Sequence, residues 1–108
     1  MTSRAKISID WRLARDLLDL PTPPRSAWLR RFLTVVRVNH QTDNISMGAL
    51  LRDAYAAREL LRTLTEVIAK QGATATRAKF KLRQVAKSTG INLIDTIGLL
   101  DTVSHTDE

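Results

Sequence analysis

Seven side chains recur at alternating three- and four-residue steps through the middle of the chain: Met47, Leu50, Ala54, Ala57, Leu61, Leu64 and Ile68. This spacing places all seven along one side of an α-helix. Leu51, Leu60 and Val67 flank the seam and widen it. A stripe that broad suits burial in a helical bundle better than a strict two-stranded coiled coil. Ser46 is placed to cap the start and Gly72 to end the last turn. The pattern predicts one helix over 46–71, roughly 39 Å long at ~1.5 Å per residue.

The remaining segments carry shorter helical patterns. Residues 6–13 alternate apolar and polar, a strand period, while Leu13, Leu17 and Leu20 repeat at helical spacing. We read an extended start and a helix from about Asp10 that stops before Pro21-Thr22-Pro23-Pro24. The choice between strand and helix for 6–13 stays open. A second helix is expected from Ser26 to about Asn39, with Trp28, Leu29, Phe32, Leu33 and Val36 on its apolar side, followed by a polar loop from His40 to Asn44. Both tryptophans, Trp11 and Trp28, fall in apolar stripes and are expected in the core. A fourth helix is expected from Thr74–Thr76 to Gly90 and a fifth from Asn92, with Leu93, Ile94, Ile97, Leu100 and Val103 inward. The fold expected is all-α: a single domain over 1–108, a bundle of four to five helices around one long central helix. Residues 1–9 form an extended or flexible start and 104–108 a frayed tail.

Composition narrows the chemistry. The chain has no cysteine, which excludes disulfides, thiolate nucleophiles and cysteine metal sites. Met1 to Asp10 lacks the apolar core of a secretory leader, and no apolar run is long enough to span a bilayer. A cytoplasmic protein with no membrane partner is expected. Neither His40 nor His105 has a second ligand at metal-binding spacing, and Asp16 and Asp19 lie beside Arg12 and Arg15. No phosphate-cradling glycine loop and no nucleophile elbow occur. The expectation is a non-enzyme with no cofactor, no metal and no small-molecule substrate.

Charge gives the functional lead. The net charge is +6, with 17 Lys and Arg against 11 Asp and Glu. From Val67 to Ile94 the chain carries Lys70, Arg77, Lys79, Lys81, Arg83 and Lys87 and no acid. Phosphates are bound by such groups with release of counterions, and a nearby carboxylate opposes that. Arg77, Lys79, Lys81, Arg83 and Lys87 are therefore the candidate nucleic-acid-binding residues, acting by phosphate contact. Arg4, Lys6, Arg12 and Arg15 add a second basic patch if the N-terminal segment folds beside the fourth helix. A helix face kept soluble by charge has the same composition.

Val85-Ala86-Lys87-Ser88-Thr89-Gly90-Ile91-Asn92 resembles the centre of a helix-turn-helix, with a packed alanine, a turn glycine, an apolar anchor and a polar cap. The resemblance implies DNA reading by the helix from Asn92 to Val103. Departures follow downstream. Thr96 stands where an apolar residue is usual, and the reading helix carries Asp95 and Asp101 but no Lys or Arg.

The function expected is non-catalytic binding of DNA or RNA through the basic C-terminal region. The alternative is a helical assembly subunit, self-associating or docking in a larger nucleoprotein complex. It would use helix 46–71 through Met47, Leu50, Leu51, Leu61, Leu64 and Ile68.

Overall fold

A computed structural model describes residues 6–53, 55–72 and 75–89. These form a mostly helical unit of five helices and one two-stranded sheet. The fifth helix expected from Asn92, the turn Gly90-Ile91-Asn92 and the terminal tail lie outside the described residues, as do Ala54 and Thr74.

The alternation at the start of the chain resolves as a strand followed by a helix. Strand β1 spans Lys6–Ile9, with Ile7 and Ile9 buried and Lys6 and Ser8 exposed. It pairs antiparallel with β2, Asp43–Ser46, in the register Lys6↔Ser46, Ile7↔Ile45, Ser8↔Asn44 and Ile9↔Asp43. Ile7 and Ile45 are cross-strand partners, and both are buried. Two strands alone are marginal in water; here one face of the pair joins the helical core. The segment expected to be a loop from His40 to Asn44 thus contributes a strand at its end. Its single core residue, Ile45, gave too little alternation to register as one.

Helix α1, Trp11–Leu18, starts where Asp10 caps it: the Leu13 N–H donates to Asp10 Oδ1 at 2.9 Å. Leu13, Ala14, Leu17 and Leu20 face inward, and the proline run follows. Helix α2, Ala27–Asn39, is capped by Ser26, whose Oγ accepts from the Leu29 N–H at 3.2 Å. It ends on His40 in left-handed geometry (φ 53°), with the His40 N–H on Arg37 O and the Gln41 N–H on Val36 O. That is the Schellman arrangement, with histidine in the place glycine usually takes.

The continuous helix expected over 46–71 is two helices. Ser46 does cap a helix, accepting from Ala49 N–H at 3.1 Å, but this α3 runs only from Met47 to Arg52. Asp53 turns extended (φ −90°, ψ 121°), and α4 starts afresh at Ala56 and runs to Gln71. The break has a chemical cause. Asp53 accepts the Ser26 hydroxyl at 2.5 Å on one oxygen and the Tyr55 N–H at 3.0 Å on the other. Short polar side chains that bond nearby backbone compete with helix continuation, and Ser26 adds a tertiary tie. The apolar stripe survives the break because Leu50 and Ala57 are both buried on either side of it.

Helix α4 packs against α1, α2, α3 and α5. Burial runs far round its circumference, through Leu60, Leu61, Thr63, Leu64, Thr65, Val67 and Ile68. The two threonines keep their hydroxyls satisfied by donating to Glu59 O at 2.7 Å and Leu61 O at 2.8 Å. Gly72 ends α4 at φ 63° and ψ −134°, a region closed to side chains with a Cβ. Helix α5, Thr76–Thr89, then packs mainly on α4 through Ala78, Leu82, Val85 and Ala86.

Candidate nucleic-acid interface

Helix α5 is amphipathic in an uneven way, and the unevenness sorts the five candidate cations. Arg77, Arg83 and Lys87 are exposed, and Lys81 is half-buried. Lys79 is only 6% exposed and lies on the packed side with Ala78 and Leu82. The structure therefore groups four of the five on the outer face and turns Lys79 inward. From Lys79 to Ala86 is seven residues, two helical turns, so both fall on one line of the inner face. Helical phase puts Lys79 on one strip with Arg83, four residues on, and burial separates the two.

Phe80 was not among the candidate residues, yet it stands at the centre of this outer face. It is 59% exposed, and the Lys81 Nζ lies 5.6 Å from its ring centroid. Arg77 and Arg83 flank it three residues to either side, each about 60° away around the helix axis. An apolar residue inside a basic helix looks like core in a sequence. Only its phase, opposite Ala78, Leu82 and Val85, marks it as outward.

The N-terminal segment does fold beside α5. An open groove of about 680 Å³ runs between α1, the end of α4 and the start of α5. Its floor is apolar, from Leu13, Val67, Ala75 and Ala78, and Arg12, Arg77 and Phe80 stand along it. Two carboxylates also line it, and both are engaged. Asp10 pairs with Arg77. Asp16 pairs with Arg15 at 3.1 Å and accepts from Gln71 Nε2 at 2.9 Å. Burial, and then repulsion from Arg77, pushes the Lys81 ammonium below its ordinary lysine value.

Beside the groove, Trp11 forms a second aromatic and basic cluster. Its ring stacks on His40 with centroids 4.6 Å apart and planes 7° from parallel. The guanidinium groups of Arg12 and Arg15 lie 5.2 and 5.5 Å from the Trp11 ring. Neither tryptophan is in the core, against expectation: both are half-buried, and Trp28 stacks on Phe32 at 6.1 Å. Their apolar phase brings them to the core's edge, where Trp11 meets the left-handed end of α2.

The interaction seam lies inside the chain. Met47, Leu50, Leu61, Leu64 and Ile68 are buried, and so are the flanking Leu60 and Val67. Leu51 alone of the six seam residues is exposed, at 50%. Most of the seam thus packs into the chain's own core, with Leu51 left at the surface. A second open pocket near the proline run mixes Arg25, Arg30 and Arg62 with Glu59 and Glu66. There Arg62 pairs with Glu66 at 2.8 Å.

Among the described residues no cluster of three metal-ligating side chains occurs. No described helix is long and apolar enough to cross a membrane. No protein-family model, curated protein or solved structure matches this chain.

Proposed function

We propose that the chain binds nucleic acid without catalysis, through phosphate contacts from Arg77, Lys81, Arg83 and Lys87, joined by Arg12 across the groove. One observation carries this reading: the outer face of α5 presents cations around an exposed aromatic ring and no carboxylate of its own. Cations grouped around an exposed ring can hold a nucleic-acid strand by phosphate contact and by stacking together. Phosphate contacts position a strand and carry no sequence information in themselves. The helix-turn-helix likeness concerns residues beyond α5, and the reading does not depend on it.

Binding of labelled oligonucleotides titrated across salt tests the proposal, with Arg83→Glu/Lys87→Glu alongside. If about four to six phosphates are neutralised, affinity falls by roughly 10²–10³-fold between about 50 and 200 mM salt. The charge-reversed variant loses most of the binding. Folded protein that binds neither a duplex nor a single strand at about 50 mM salt would refute the proposal.

A further inference from the structure

We infer that the groove beside Phe80 is a base-docking site, and that the ligand is single-stranded nucleic acid rather than a duplex. The inference rests on the phosphate-binding reading above and goes one step further, to the form of the strand.

Three features of the groove point to an unpaired base. Its floor is apolar, built from Leu13, Val67, Ala75 and Ala78, so it suits a flat, poorly hydrated ring better than a phosphate. Phe80 stands beside it and is 59% exposed, a π-surface on which any base can stack. Arg12 and Arg77 line the same groove, from α1 and α5 respectively; Arg12 can hold one flanking phosphate, and Arg77 the other by exchanging its Asp10 carboxylate for it.

A duplex cannot use this arrangement. Its bases are stacked inside and its phosphates face outward, so Phe80 would be pressed against the sugar-phosphate backbone among the cations meant to contact it. That would desolvate charge against an apolar ring with no stacking in return. An unpaired strand offers base faces and phosphates in alternation. The outer face of α5 offers the complement: Arg77, Phe80, Arg83 and Lys87 at successive turns.

The test compares the full chain binding to fluorescent oligo-dT, oligo-U, a random duplex of equal length, and an abasic strand with the same phosphates. Phe80→Ala and Phe80→Trp are measured in parallel. The site predicts that both single strands bind more tightly than the duplex and the abasic strand. Phe80→Ala weakens single-strand binding by about 5- to 100-fold with the salt slope unchanged. Phe80→Trp restores binding, and its fluorescence is quenched on saturation. Because Phe80 is exposed, neither variant disturbs the core. Equal, salt-dependent binding to all four ligands, indifferent to Phe80, would overturn the base site and leave the phosphate surface standing. Absence of binding to any of them would overturn both.

Discussion

Asp10 uses its two carboxylate oxygens for different tasks: Oδ1 caps α1 through the Leu13 N–H, and Oδ2 pairs with Arg77 of α5. One side chain thereby fixes where α1 begins and ties α5 to it. It also holds negative charge beside the proposed phosphate surface. Asn caps a helix about as well as Asp. Asp10→Asn keeps the cap and loses only the ion pair, a cost of at most about 1 kcal/mol where the arginine is exposed, and should tighten oligonucleotide binding because Arg77 is freed. Weaker binding from a variant of unchanged stability would mean that the Asp10–Arg77 pair positions the arginine for its ligand.

The Ser26–Asp53 contact predicts an acid-sensitive joint. Asp53 is held below its ordinary value of 3.8, chiefly by the Ser26 hydroxyl and then by the Tyr55 N–H. A carboxylate depressed in the folded state stabilises the fold above its unfolded value, and that contribution is lost as pH falls through the folded one. Denaturant midpoints followed from pH 6 downward, through 3.8 and below, should show the parent losing its advantage over Asp53→Asn. Ser26→Ala removes a cap as well as the tie, and should cost about 1–2 kcal/mol at neutral pH. A constant gap between parent and Asp53→Asn across that range would exclude this role for the contact.

Burial separates two leucines of the seam, Leu51 at the end of α3 and Leu64 in the middle of α4. Leu64 is fully buried on α4, so Leu64→Ala should cost about 2–5 kcal/mol. Leu51 is half exposed, and Leu51→Ala should stay within about 0.5 kcal/mol. Sedimentation of the parent should give a concentration-independent monomer. A dimer dissociated by Leu51→Ala would restore the assembly reading.

Lys79 and Arg83 are four residues apart on α5 and should behave oppositely. Lys79→Ala alters a packed position, so chemical denaturation should register it while the salt dependence of binding stays as it was. Arg83→Ala alters an exposed one. Its stability should hold to within about 0.5 kcal/mol while affinity drops. Calorimetry and binding on the same two variants decide the assignment, and loss of affinity only in Lys79→Ala would reverse it.

Most of the helices were legible because apolar phase and caps agreed. Ser46 caps a helix as its position implied, and the helices expected from about Asp10 and from Ser26 start just after those residues, which cap them. The 46–71 seam misled in one respect. A 3,4 repeat records which side chains are buried, and Leu50 and Ala57 remain buried across a break in the backbone. Asp53 at the break bonds Ser26, twenty-seven residues away, a partner that no local pattern contains. The short β2 was hidden for a related reason, since its pairing with β1 brings together segments 36 residues apart. At the candidate site, the excess of positive charge was visible and its direction was not. Helical phase turns Lys79 inward and Phe80 outward, and the meeting of Arg12 with Arg77 is a product of the tertiary fold.

The most direct test of the central claim is the slope of log affinity against log salt for a single-stranded oligonucleotide, measured on the parent and on Arg83→Ala/Lys87→Ala. Loss of two phosphate contacts should flatten the slope by roughly 1.4. A slope identical in the two proteins, or no measurable binding by the folded parent at low salt, would contradict a phosphate-binding role for the outer face of α5.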